Sequence, residues 1–455
     1  EQAFGTDVRV VMKNGIDMKR IYAALVFFMC SASLTTMSGC SGDEGPAGPE
    51  PPVIEDYVIT PINGGGIATY SIPDSEEVMY VMAEYERNGK KCVERSSVYS
   101  NTIRMEGFAT TDPVTVAFYT VSRNGVRSEP VVKTFEPLTA PLYLVRQTLS
   151  MVTDFGGVSV FWENRFNTEV GVAFLVKDEN GEFRDNEYRF SRLEEVKETF
   201  RGFEAEEATF GACLIDNWGN TSDTLELTTT PYYETMSKKP FSRVRLPGDV
   251  VSDTWAFSNV CNGTWHTSIN TNSDAWLSGS KFGNGHMFTI DLGERMKMSR
   301  VVLYPRLRTA SEPFGSINVR NFEVWGTSAL KTEMLSGHDY YWQDIPEFDE
   351  PEEGGDPVAK EHWKNDWQCL GEFEIVKPDV PEGANQQEIF LAACGAGFSF
   401  DFPIDAEPIH YIRFVVRRTW SGAGSHPDIY PPRALNDYFM LSELSMYGDN
   451  TVPQK

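Results

Sequence analysis

The sequence predicts an all-β protein built as three β-sandwich modules in a row. Three observations carry that reading. Short β-rich runs alternate with Asn-Gly and similar turn dipeptides. Residues 53–236 repeat themselves at a spacing near 92. After residue 250 the composition changes, and eight of the ten Trp fall between there and residue 448. A chain of 455 residues that is 41% hydrophobic and 23% charged can bury cores and is not globally disordered. Its net charge of −26, from 40 Lys+Arg against 66 Asp+Glu, repels phosphate backbones and argues against nucleic acid as a partner. The six His stand at 266, 286, 338, 362, 410 and 426, too far apart for a His-x-x-x-His zinc motif.

Residues 1–39 read as an upstream extension and a processing signal. Met18-Lys19-Arg20 gives a positive start, and Ile21 to Met29 gives an apolar run far shorter than the roughly 20 residues of a spanning helix. Residues 1–17 precede the expected start at Met18. Leu34-Thr35-Thr36-Met37-Ser38-Gly39-Cys40 resembles a bacterial lipobox, which implies lipidation at Cys40. An ordinary signal peptide cut near Ser33 or Gly39 is the alternative. The small acidic run Ser41 to Gly45 resembles the surface-export signal of Bacteroidetes lipoproteins, and Pro46 to Pro52 completes a flexible tether over 40–52. Loss of residues 1–39 removes four basic and three acidic residues, leaving a net charge of −27. The expected protein is anchored by lipid to the outer membrane at the cell surface and does not span the membrane.

Two related modules follow, at 53–137 and 138–236. Gly65-Gly66-Ile67 aligns with Gly156-Gly157-Val158, Glu77-Val78 with Glu169-Val170, Asn88-Gly89 with Asn180-Gly181, and Gly107-Phe108 with Gly202-Phe203. Asn88-Gly89 supplies the positive φ angles of a type I′ hairpin, and Asn124-Gly125 repeats the device. Modules of roughly 90 residues with a turn every 8–12 suggest Ig-like or fibronectin-III-like sandwiches. Leu193 to Phe200 fits a short helix, whereas its counterpart in the first copy looks extended; both readings stay open. Gly64-Gly65-Gly66 is read as a strand-entry loop, because no G-x-G-x-x-G frame or amphipathic helix follows it.

The third module, 237–449 with a tail at 450–455, carries an ordered series of signals. Asn262-Gly263-Thr264-Trp265-His266-Thr267 precedes Thr289-Ile290-Asp291-Leu292-Gly293 and Val301-Val302-Leu303-Tyr304-Pro305-Arg306. Phe322-Glu323-Val324-Trp325-Gly326-Thr327, His410-Tyr411-Ile412-Arg413 and Ser442-Glu443-Leu444-Ser445-Met446-Tyr447-Gly448 follow. This series resembles the discoidin-like domain, the fold of coagulation factor V/VIII type C domains and of galactose-binding modules. The resemblance implies a β jelly-roll sandwich after the two Ig-like/fibronectin-III-like sandwiches. Two insertions depart from it, Lys331–Lys360 and Lys377–Cys394. The first contains the acidic run Glu347 to Glu353, and that charge run is expected to be a solvated loop.

Taken whole, the mature chain resembles three-module surface lipoproteins of Bacteroidetes polysaccharide-utilisation systems. That resemblance implies a non-catalytic glycan-binding protein that works beside a TonB-dependent importer and its binding lipoprotein. Sugar recognition uses flat aromatic rings and planar donors on loops at one end of a sandwich. The candidates are Trp265 and His266 in the first loop, Arg306 and Arg308 at a strand exit, and Trp420, His426 and Tyr430 in a late glycine-rich loop. Trp420 to Tyr430 together with Arg306 form the sharpest expectation, with both Trp420 and Arg306 dispensable for stability. Trp325 and Trp367 are expected in the core. The resemblance also implies a structural Ca²⁺ held by Asn262 and Glu443 with backbone carbonyls, weakened because Asn stands where relatives carry a carboxylate.

Five cysteines remain beyond the leader and Cys40, and Cys369 with Cys394 is a candidate disulfide pair. No G-x-S-x-G, catalytic cysteine context or paired carboxylates on two strong strands appear, so an enzyme is not expected. The competing readings are a discoidin-type adhesin for host protein or matrix, and a structural accessory subunit of the importer.

Overall fold

A computed structural model describes residues 48–250, 252–265, 275–279, 286–307, 309, 312–315, 317–336, 339–342, 362–420 and 438–454. Cys40, His266, Arg308, His426 and Tyr430 lie outside the described residues. The fold is all-β and forms several sandwiches.

In the first module, Gly65–Ser71 lies between Glu55–Ile62 and Thr102–Glu106. That sheet faces one of four strands in the order Lys90–Ser97, Val78–Arg87, Val114–Ser122, Val131–Phe135. Alternation along Val78–Arg87 sends Val81, Ala83 and Tyr85 inward, where they meet Tyr70, Ile103 and Phe118. The second module repeats both sheets. Gly157–Glu163 lies between Ser150–Asp154 and Glu195–Arg201, opposite Phe183–Ser191, Val170–Lys177, Ala208–Asp216 and Leu225–Thr229. Its core centres on Trp162 and on Phe174, which stacks on Phe200 at 4.2 Å.

The structure corrects the repeat by one residue. Gly64 and Gly156 are the equivalent pair, with φ of 69° and 63°. Gly65 and Gly157 follow them, and a Cβ on either would collide with a facing carbonyl oxygen, of Met105 or of Phe200. Asn88 and Gly89 both have positive φ, as a type I′ turn requires. The turns at Asn124-Gly125 and Asn180-Gly181 are different, because only the glycine is left-handed in each. At the latter, the Asp178 carboxylate accepts the N–H groups of Asn180 and Glu182 and holds a longer turn. The open segment at 193–200 resolves as strand Glu195–Arg201, because Val196, Glu198 and Phe200 alternate inward.

The C-terminal module is organised on one bent strand, His286–Tyr304, which turns at Gly293. Its first half pairs with Ser242–Val244 and Ile409–Thr419, its second half with Glu443–Asp449 and Phe398–Asp401. Val319–Thr327 and Gln368–Glu374 extend the sheet, and Asp253–Trp255, Trp276–Ser278 and Met440–Leu441 form a smaller one. The core holds Trp276, Phe288, Phe322 and Phe414. Strand Thr235–Met236, within the residues assigned to the second module, pairs instead with Tyr447 and Gly448, so this module begins at the linker itself.

The described part of the first insertion packs on the outer face of the large sheet, where Tyr341, Trp342, Trp363 and Trp367 form a second apolar cluster. The acidic run Glu347 to Glu353 of this insertion lies outside the described residues. Arg413 is fully buried beneath the cluster, its guanidinium 4.5 Å from the Trp363 ring and paired with Asp249 at 3.0 Å. Trp367 is buried there, whereas Trp325 is half-buried at the rim, donating to Glu323 at 2.8 Å. The second insertion closes with helix Gln386–Ala396, started by Asn385 accepting the Gln387 N–H. Among the described residues all five cysteines are free thiols. Cys394 is buried in that helix and Cys369 is exposed on its strand, so the candidate disulfide is absent.

Candidate functional site around the first loop of the C-terminal module

Of the ten Trp, Trp265 alone is exposed, at 39%. Gly263 takes φ of 76° and reverses the chain after the short helix Phe257–Cys261. The Asn262 side chain accepts the Thr264 N–H at 2.7 Å, which fixes the turn. Trp265 then lies against Tyr304, at the end of the bent strand, with ring centroids 4.7 Å apart and planes at 31°. Its indole N–H donates to Gly395 O, at the end of helix Gln386–Ala396, at 3.1 Å. Burial pushes the Tyr304 phenol up to about 12, so the supporting ring stays neutral. The result is a solvent-facing aromatic surface with a fixed tilt.

Beneath this loop is Glu443, whose side chain has no exposed surface. One carboxylate oxygen accepts the Gly263 N–H at 3.2 Å, and the other receives the Lys239 ammonium, which also donates to Ser445 at 3.1 Å. Burial holds the Glu443 carboxyl above the usual carboxylate range, while Lys239 and the N–H groups of Gly263 and Asn262 pull it back. These residues do not fit Ca²⁺. The loop turns N–H groups toward the carboxylate where a cation needs oxygen ligands, and Asn262 spends its side-chain oxygen on Thr264.

The other expected residues are placed less openly. Arg306 is only 6% exposed, with its guanidinium 4.9 Å from the Trp255 ring. Its backbone is pinned by Asn318, which accepts the Arg306 N–H and donates to its carbonyl. The expectation of an accessible, dispensable donor is corrected, because this arginine covers an aromatic ring. Trp420 is half-buried, edge-on to Phe314 at 5.5 Å with Arg320 over its ring at 4.6 Å. Asn318 joins the two, since its carbonyl accepts the Trp420 N–H. Helix Gln386–Ala396 connects Trp420 to the first loop, through Phe390 against Phe314 and Gly395 under Trp265. Sequence reasoning missed Tyr304, Lys239 and this helix. Only Tyr304, ending a strongly β-patterned run, carried a local signal.

Three family models match the chain. Two are described as domains of unknown function (DUF4959 and DUF5126) and match residues 51–137 and 138–240; the third, also a domain of unknown function, matches 265–448. Among solved structures, a SusE-like protein is similar at 22% identity, covering 67% of this chain and 97% of its own, with a TM-score of 0.36. A two-domain fibronectin type-III segment of chicken tenascin is similar at 13% identity, covering 39% and 99%, with a TM-score of 0.19. The chicken interferon gamma receptor alpha chain is similar at 11% identity, covering 40% and 98%, with a TM-score of 0.18. No curated protein matches the sequence.

Proposed function

We propose that this chain is a non-catalytic, lipid-anchored surface protein that binds polysaccharide or oligosaccharide for a TonB-dependent outer-membrane uptake system. The observation that carries the binding reading is Trp265, an exposed indole held at a fixed tilt on Tyr304. A ring clamped on one side and open on the other suits the C–H face of a pyranose, and no side-chain entropy is lost when the sugar arrives. The discoidin-like signal series and the lipobox-like Cys40 support the rest. The two N-terminal sandwiches act as spacers that carry the binding module away from the membrane, beside the importer and its binding lipoprotein.

A glycan array probed with residues 41–455 tests this reading. Trp265→Ala is expected to weaken the strongest hit by about two- to twelvefold, from the loss of stacking worth about 0.5–1.5 kcal/mol. Unchanged binding in that variant would move the site away from the first loop. Capture of a matrix protein without any glycan would favour the discoidin-type adhesin. Binding of neither would favour a structural accessory subunit.

A further inference from the structure

Glu443 presents a problem that the fold has to solve. A carboxylate with no exposed surface is costly unless a counter-charge and hydrogen bonds accompany it. Two segments remote in sequence converge on it. Lys239 comes from the linker behind the second module and Gly263 from the first loop, while Ser445, two residues along the closing strand, accepts a second hydrogen bond from the Lys239 ammonium. The linker is fixed on both sides of the lysine. Before it, Thr235 and Met236 pair with the closing strand, and Ser237 N–H donates to Met446 O at 2.8 Å. After it, Ser242–Val244 pairs with the bent strand. The ammonium is therefore delivered by backbone that is already ordered.

We propose that Lys239 is a tethered cation that takes the place of a bound metal ion under the first loop, so that the loop carrying Trp265 is positioned without calcium and by the linker itself. The charge at this point is intramolecular and cannot be removed by dilution or chelation. The loop's N–H groups complete the shell of the same carboxylate, so loop, linker and closing strand are held by one anion. Lys239 is thus a positioning residue. Its effect on ligand binding rests on Trp265 being the platform; its effect on the loop does not.

The test uses residues 41–455 and reads the loop directly. Chelator, or about 1 mM calcium, a concentration that fills extracellular calcium modules, is expected to leave the melting temperature and amide exchange of peptide 261–265 unchanged. Lys239→Met and Glu443→Gln are each expected to raise exchange in that peptide and to lower the melting temperature by roughly 6–20 °C. The double variant is expected to lose less than the two single losses together, because neither partner is then left alone. Lys239→Arg, which keeps the charge, should restore much of the loop protection. Calcium that stabilises the wild-type chain, or chelator that destabilises it, would overturn the proposal. So would loop exchange that stays at the wild-type level in a folded Lys239→Met or Glu443→Gln variant. If Lys239→Met does not fold, the chelator arm and Lys239→Arg still decide. Failure of Trp265→Ala to weaken glycan binding leaves these readouts untouched, so the two readings fail separately.

Discussion

The chain has two junctions between neighbouring modules, and they are built from different chemistry. Between the first and second modules the contacts are neutral and depend on shape. Trp218 lies flat on Gly107, the Asn88 amide donates to Asn220 at 2.7 Å, and Asn220 donates to Gly107 O at 3.1 Å. A small cavity of about 190 Å³ remains beside them, lined by Phe108, Phe166 and Trp218 together with Arg104, Glu106 and Asp216, none of which forms an ion pair across it among the described residues. Between the second and third modules the contacts are ionic. Asp401 accepts Arg201 at 2.9 Å, Thr199 at 2.9 Å and Lys197 at 3.4 Å, while Glu234 joins Arg201 at 3.2 Å to Arg300 at 3.0 Å. Two copies of one sandwich thus solve the same docking problem differently. The difference is one of response: salt and pH act on the ion pairs of the second junction, whereas the first depends on ring packing and amide hydrogen bonds.

The largest expected effect breaks the charged junction. Arg201→Met leaves the partly buried Asp401 and the buried side chain of Glu234 each short of a partner, and removing one member of such a network costs about 3–5 kcal/mol. Denaturant unfolding should show that loss, with the melting transitions of the second and third modules separating. A single transition at the wild-type midpoint would show that the network does not couple them. Gly107→Ala attacks the neutral junction. Gly107 has φ of 88°, and a Cβ there would enter the Trp218 ring, so the indole must leave. The expected cost is about 1–3 kcal/mol from backbone strain and lost packing, read by denaturant and by Trp218 fluorescence. Retention of the wild-type emission spectrum would mean that the ring is not seated on this glycine.

Much of this arrangement could be read from the sequence, and the exceptions have physical causes. The repeat was visible because glycines recur where φ is positive or backbones nearly touch. Its register was misread because Gly64, Gly65 and Gly66 share one letter, while only φ and the facing carbonyl distinguish them. Trp265 was legible from its Asn-Gly turn. Lys239 was not, since its partner Glu443 is 204 residues away and a long-range ion pair leaves no local pattern. Arg306 looked accessible at a strand exit because nothing nearby in sequence announces Trp255, 51 positions earlier, as the ring it lies over.

The smallest expected effect sharpens the comparison through acid. At the charged junction Asp401 is opposed most strongly by burial, but Arg201, Lys197 and the Thr199 hydroxyl outweigh it and hold its carboxyl below the usual 3.8. A depressed carboxylate contributes stability that is present above its unfolded value and is lost as pH falls through the folded one. At the neutral junction Asp216 moves the other way. Burial raises it above 3.8, against hydrogen bonds from Asn220 and Trp218 and the more distant charge of Arg87. Its ionised form is the costly one, so its contribution improves as pH falls through its raised value. Titrating from neutral pH toward 3 should therefore loosen the second–third junction while leaving the first–second junction as firm or firmer. Paired distance labels across each junction, or small-angle scattering of the two-module fragments 48–231 and 138–454, would follow this. Equal loosening at both junctions would mean that net charge on the whole chain, and not these two aspartates, governs the response. Asp401→Asn should abolish the acid step at the second junction only, and a step that persists in that variant would show that Asp401 is not its source.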